Sequence, residues 1–223
     1  MWQTPIHQIK PDIPDLVDFN ERLVRLAMKC INSIDESLYR DIQGEKGKND
    51  YFFKWQTTNF NLAPEEQAPE YKEMVASKEW QYMLGIVSRF SSRFLANAGS
   101  QAEITQDTKI NMWATLNSKG IQHLSHTHPL SMVSGVYYAK IPADAGVLIF
   151  SDPRGPRPPF DGRFIHKPEE GDLVLFPSWL SHEVTATVGD STRMSFSFNV
   201  LGEWESTTEI TQQWEFGADA VQA

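Results

Sequence analysis

Arg193-Met194-Ser195-Phe196-Ser197-Phe198-Asn199-Val200 alternates polar and apolar side chains without a break. On extended backbone, Arg193, Ser195, Ser197 and Asn199 share one face and Met194, Phe196, Phe198 and Val200 the other. The apolar face packs on a core. The polar face meets either water or the lumen of a barrel holding a small polar ligand, and the two arrangements read alike. Working outward, further short strand-like runs occur at Lys109 to Leu116, Met132 to Ile141, Val147 to Ser151, Asp172 to Phe176 and His182 to Val188, with Thr192 to Leu201 enclosing the first. Gly, Pro and Asp punctuate them.

The chain before Gly99 has a different period. Leu16, Phe19, Leu23, Leu26, Ala27, Cys30, Ile31 and Ile34 recur at helical spacing within Ile13 to Ile42. A second stripe, Met74, Trp80, Met83, Leu84, Val87, Phe90 and Phe94, ends near Asn97-Ala98-Gly99. Asn49 to Ala63 carries no clear period. Helices followed by strands predict an α+β, mainly β layer plan with the helices on one face of a rolled sheet. The expected organisation is a single domain over 1–223: mainly helical 1–99, a β core 100–212 and a tail 213–223. The Pro- and Arg-rich stretch Asp152 to Glu170 reads as one long loop. Its Arg154, Arg157, Arg163, His166 and Lys167 suit a lid, a contact for an anionic substrate or a solvated loop.

Composition narrows the function. The 223 residues include 29 acidic and 20 basic side chains, a net charge of -9. An acidic chain without a basic stripe predicts no nucleic-acid partner and no anionic membrane surface. Cys30 is the single cysteine, so neither a disulfide framework nor a thiolate metal site is expected. Met1 to His7 lacks the form of a signal peptide, and no apolar run is long enough to span a bilayer. A cytoplasmic address is expected, with a small-molecule or otherwise unidentified substrate as partner, and a homodimer is left open.

His126-Thr127-His128 is the main chemical signal. Residues two apart share a face on a strand but diverge by ~200° on a helix. A His-x-His pair therefore grips one metal from extended backbone, and the strand-like Ser131 to Lys140 follows directly. With His182 the pair makes three imidazoles, enough to hold Fe, Zn, Cu or Ni with positions left open for chemistry. A solitary histidine is more often a satisfied surface or core group, and it is the spacing that favours a ligand set.

If Gly189-Asp190 is a two-residue hairpin turn, Ala186 lies opposite Arg193. His182, Val184, Ala186, Arg193, Ser195 and Ser197 then share a face, with His182 roughly 13 Å further along at ~3.3 Å per residue. An arginine so placed grips a carboxylate with two prongs. An arginine on a half-exposed strand fits the same pattern.

His126-Thr127-His128-Pro129, Ser134-Gly135-Val136-Tyr137-Tyr138, Gly171 to Pro177, Phe176-Pro177-Ser178-Trp179, His182 and Arg193-Met194-Ser195 together resemble the Fe(II)- and 2-oxoglutarate-dependent dioxygenases. Within that superfamily they are most similar to a bacterial and phage-associated group with an H-x-H motif. The likeness runs from Trp113 to Asn199, and the first half of the chain adds no motif. It implies a double-stranded β-helix, or jelly roll. His126, His128 and His182 become the catalytic metal ligands for Fe(II), and Arg193 and Ser195 bind the distal carboxylate of the co-substrate 2-oxoglutarate. The implied reaction hydroxylates an unidentified substrate with release of succinate and CO2. One departure matters: the family's usual carboxylate ligand is His128 in this chain, which makes the site less anionic and bears on metal identity and outcome. His123 and Asp152 are alternative ligands, and motif position prefers the other three. Trp113, Tyr137 and Tyr138 line either the pocket or the core. Gly135 marks a bulge or a close approach.

Two rival readings use the same histidines. A cupin-like metalloenzyme would need no 2-oxoglutarate and no Arg193. A metal or 2-oxoglutarate sensor would bind without turnover.

Overall fold

The computed structural model describes residues 4–33, 54–56, 68–160 and 162–202. Helix α1 spans Leu16–Asn32 and buries Phe19, Leu23, Ala27, Cys30 and Ile31, the stripe read at three- and four-residue spacing. The expected continuation through Ile34 to Ile42 lies outside the described residues, as do most of Asn49 to Ala63 and the tail 213–223. The second stripe forms two helices rather than one, α2 (Pro69–Ala76) and α3 (Lys78–Asn97). Ser77 divides them: its Oγ accepts the Trp80 N–H at 3.1 Å, capping α3. Proline in the first turn of α2 suits a position whose N–H would be unpaired in any case. Gly99, at φ 75°, makes the left-handed exit from α3. Among the described residues no helix is long and apolar enough to cross a membrane.

The described residues form ten strands, numbered in chain order: β1 (His7–Ile9), β2 (Lys54–Gln56), β3 (Ile110–Asn117), β4 (His123–His126), β5 (Ser131–Lys140), β6 (Leu148–Ser151), β7 (Arg163–His166), β8 (Leu173–Pro177), β9 (His182–Val184) and β10 (Arg193–Leu201). They form a six-stranded sheet in the order β1-β8-β5-β10-β3-β2 and a four-stranded sheet in the order β4-β9-β6-β7. Every pairing between them is antiparallel.

The mainly helical half also contributes two short strands, β1 and β2, which extend the two edges of the large sheet. Two expectations need correction. Asp152 to Glu170 is not one loop, because Arg163–His166 pairs with β6, Phe164 opposite Phe150. The hairpin through Gly189-Asp190 does not form. β9 ends at Val184 and pairs with β4 and β6, whereas β10 pairs with β3 and β5 in the other sheet. Long-range bonds take up the connecting residues: Gly120 N–H donates to Thr187 O at 2.8 Å and Val188 N–H to Asp144 O at 3.2 Å. Local turn chemistry at Gly189 loses to these contacts.

The large sheet is covered on both faces. Met112, Ala114, Tyr137, Ala139, Leu173, Leu175, Met194, Phe196, Phe198 and Val200 join the apolar sides of the three helices in one core. Asn20, a buried polar residue on α1, accepts a 2.6 Å hydrogen bond from the Tyr137 hydroxyl, so burying this amide leaves its oxygen satisfied. On the opposite face Val136, Tyr138, Val174 and Phe176 pack toward Leu148, Phe150 and Val184 of the small sheet. The architecture is the expected double-stranded β-helix with N-terminal helices on one sheet.

Gly135 is opposed by Phe198 in the ladder, and a Cβ there would collide with the Phe198 ring and the Val174 carbonyl. The close approach that leaves no room for a Cβ is therefore made by the Phe198 side chain and the Val174 backbone. Gly135→Ala should lower the unfolding free energy by ~1–3 kcal/mol, the usual effect of overpacking a filled core, measurable by urea or thermal unfolding. Unchanged stability would show that this contact is not as tight as the packing implies.

Candidate active site

The antiparallel ladder between β4 and β9 sets His126 directly opposite His182. His128 lies just beyond the end of β4, where its N–H donates to Ser178 O at 2.8 Å and turns the chain back toward β5. Ligand nitrogens of the three imidazoles all lie within 4.8 Å of one another, with His126 exposed, His128 half-buried and His182 buried. His128 Nε2 is 3.2 Å from His182 Nε2. His182 Nδ1 is 2.9 Å from Leu180 O, and His126 Nδ1 is 2.7 Å from Leu124 O. Burial, with help from the neighbouring imidazoles, pushes His128 down to about 4. Burial does the same to His182, which also falls to about 4 against the opposing Leu180 hydrogen bond. Both rings are thus neutral near pH 7, the form that donates a lone pair to a metal.

At the other end of the lumen, Arg193 is 3 % exposed. Its Nη1 donates to Gly146 O at 3.4 Å, and its Cζ lies 5.1 Å from the Tyr138 ring centroid. Among the described residues no carboxylate pairs with it. Arg193 Nε, Tyr138 Oη and Thr115 Oγ1 are buried with no hydrogen-bond partner. These groups are neighbours by register: Ser195 lies between Thr115 on β3 and Tyr138 on β5, and Arg193 opposes Asn117. Burial raises the Tyr138 hydroxyl to about 12, so it stays a neutral donor. The arginine end and the three histidines border one cavity of about 220 Å³, and none of the described residues lining it is acidic.

The five residues singled out in the sequence are therefore brought together. Trp113 and Tyr138 line the same cavity, whereas Tyr137 points into the helical core. His123 also lines it but stands outside the three-histidine cluster, its Nε2 3.4 Å from Asn117 Oδ1. Asp152 is turned to Arg154, which it holds through bonds of 2.9 and 2.7 Å. Two further basic residues of this stretch are engaged: Arg163 approaches Glu183 at 3.5 Å, and His166 is buried 3.5 Å from Asp172. Thr115 and Asn117 were not anticipated. The alternation Asn111, Trp113, Thr115, Asn117 along β3 carried the signal, since it matches the polar face of β10 residue for residue.

Comparison with known proteins agrees with this layout. A model of the family described as "Putative 2OG-Fe(II) oxygenase" matches residues 111–199. Among curated proteins, none matches the sequence. Of solved structures, a Pseudomonas putida prolyl-4-hydroxylase superposes with a TM-score of 0.55 at 17 % identity, over 89 % of this chain and 94 % of that one. A prolyl hydroxylase from Trichoplax adhaerens gives 0.57 at 13 %, over 88 % and 83 %. The dioxygenase for auxin oxidation 1 from Arabidopsis thaliana, solved with 2-oxoglutarate, gives 0.54 at 11 %, over 90 % and 84 %. At such identities these structures establish likeness of fold. The segment 111–199, which contains every residue bordering the cavity, is the part of the chain similar to that family of 2OG-Fe(II) oxygenases.

Proposed function

We propose that this chain is an Fe(II)- and 2-oxoglutarate-dependent dioxygenase that hydroxylates a C–H bond of a substrate not yet identified, releasing succinate and CO2. His126, His128 and His182 hold the metal, and Arg193 with Ser195 binds the distal carboxylate of 2-oxoglutarate. The observation that carries this reading is the buried guanidinium of Arg193 with no carboxylate beside it among the described residues. Burying an ion costs several kcal/mol even after relaxation, and the carbonyl of Gly146 and the Tyr138 ring compensate only in part. A dicarboxylate supplies the missing anion, and its oxygens offer acceptors to Arg193 Nε, Tyr138 Oη, Thr115 Oγ1 and Ser195. The 2-oxoglutarate complex of the auxin dioxygenase supports the same choice of co-substrate.

The histidines fit a metal by their donor set. Two nitrogens bound to one cation at ~2.0–2.1 Å each, near a right angle, stand ~3 Å apart. His128 Nε2 and His182 Nε2 are at 3.2 Å. A bound Fe(II) would supply the redox chemistry that couples dioxygen to 2-oxoglutarate. The protein orients the co-substrate between its two ends and lines the space between with Val136, Leu148, Phe176 and Val184, which excludes bulk water. Arg193 also separates this reading from a cupin-like enzyme, where a buried cation in the lumen has no purpose.

His126→Ala and His182→Ala should lose bound iron on elemental analysis, while His123→Ala keeps it. Wild-type metal content in both of the first two would remove the site.

Arg193→Met should weaken 2-oxoglutarate about tenfold to over a hundredfold in calorimetric titration, as expected for a charge-assisted bond worth ~1.5–3 kcal/mol. Lysine should restore part of the loss, because a point charge cannot reproduce the two-pronged contact. Relief of the buried charge should also make ligand-free Arg193→Met more stable by about 1 kcal/mol or more. Lower stability with unchanged 2-oxoglutarate affinity would mark Arg193 as structural.

A further inference from the structure

Two of the three imidazoles have their ring protons assigned by the backbone. Leu124 O and Leu180 O can only accept, so Nδ1 of His126 and of His182 carries the proton and Nε2 carries the lone pair. His128 has no such carbonyl. Its Nδ1 instead faces the Asn199 amide, with Nδ2 at 3.4 Å. The other end of that amide, Oδ1, is 2.7 Å from Ser134 Oγ. Asn199 and Ser134 are direct partners in the β10–β5 ladder, and Ser134 is wholly buried. The three side chains form a short relay from the middle of the large sheet to the histidine cluster.

The polarity of that relay is determined. His182 Nε2 is an acceptor, so without a cation His128 Nε2–H donates to it across 3.2 Å. His128 Nδ1 then accepts from Asn199 Nδ2, and Asn199 Oδ1 accepts from Ser134 Oγ–H. A cation shared by the two Nε2 atoms requires the reverse: the His128 proton moves to Nδ1 and needs an acceptor. An amide offers oxygen on one side and nitrogen on the other, and a hydroxyl serves as donor or acceptor. A half-turn of the Asn199 amide therefore supplies the acceptor without moving the backbone.

We propose that Asn199, set by Ser134, is the positioning residue for His128, turning Oδ1 toward His128 Nδ1 when His128 Nε2 takes a metal. The inference rests on the reading of the three histidines as a metal site. It assigns Asn199 the task that the Leu124 and Leu180 carbonyls perform for the other two rings. Support of this kind fixes tautomer and ring orientation, and its loss typically weakens metal binding ~10–100-fold.

The test is Co(II) titration of the full chain followed by visible absorption, with thermal unfolding as a check on folding. Asn199→Leu should bind Co(II) ~10–100-fold more weakly than wild type. Asn199→Asp should bind at least as tightly as wild type, since a carboxylate accepts from His128 Nδ1–H and from Ser134 Oγ–H together and adds negative charge. Ser134→Ala should fall between wild type and Asn199→Leu. In the Zn(II) form, long-range proton–nitrogen correlation should show His128 protonated at Nδ1. Wild-type affinity in Asn199→Leu, weak binding in Asn199→Asp comparable to Asn199→Leu, or a His128 proton on Nε2 in the Zn(II) form would each overturn the proposal. If Asn199→Leu fails to fold, Asn199→Asp, Ser134→Ala and the Zn(II) spectrum decide it. A wild-type protein that binds no Co(II) would overturn the three-histidine site itself, and this inference with it.

Discussion

Strand β10 is bonded along both edges, to β3 and β5, and its two faces are chemically opposite. A slip of one residue would drive Arg193, Ser195 and Asn199 into the helical core and expose Phe196 and Phe198 to the lumen. The register of the central sheet is therefore fixed by a cost on every residue of β10. Its neighbours repeat the division: Trp113, Thr115 and Asn117 of β3 lie opposite the polar residues, and Met112 and Ala114 opposite the apolar ones. The helices cover the apolar side, and the four-stranded sheet closes over the other. What remains between the sheets is a lumen with a polar wall on a rigid support.

The charges in that lumen are unbalanced by design of the fold. The cavity has a buried guanidinium at one end and three clustered imidazoles at the other, and no carboxylate side chain on its wall among the described residues. Burial keeps His128 and His182 neutral, so the histidine end attracts a cation through lone pairs and the arginine end attracts an anion through charge. In the proposed reading, a dicarboxylate chelating a metal would satisfy both ends at once, and its binding would offset the stability lost by burying Arg193. Having His128 where the family's usual triad has a carboxylate removes a negative charge from the metal end. As a metal ligand its ring would need an orienting partner, the part proposed for Asn199, whose Nδ2 lies 3.4 Å from His128 Nδ1.

Much of this was legible because period and spacing are local properties. The faultless alternation of β10 and the two-residue spacing of His126 and His128 identify the strand, its faces and the ligand pair without any structure. Arg193 and His182 were expected to share a face, and they do face one cavity, but the expected route was wrong. A Gly189-Asp190 hairpin would join two strands of one sheet, whereas β9 and β10 belong to different sheets. Which sheet a strand joins depends on partners distant in sequence, such as Thr187 with Gly120, and no turn motif encodes that. Strands β4 and β7 escaped notice for a related reason: each is four residues long and mostly exposed at a sheet edge, so neither has an apolar alternation to read. The unsatisfied Thr115 and Tyr138 hydroxyls and the Ser134–Asn199 relay are products of cross-strand register. They become visible only once the ladders are known.

The central claim is that Arg193 and the three histidines are two ends of one site for a metal-chelating keto acid. Its most direct test is anaerobic titration of the Fe(II) protein with 2-oxoglutarate, followed in the visible range. The account predicts the metal-to-ligand charge-transfer band of a chelated keto acid, saturating in the wild type and requiring much higher 2-oxoglutarate in Arg193→Ala. No band at saturating 2-oxoglutarate, or a band of equal affinity in the two proteins, would contradict it.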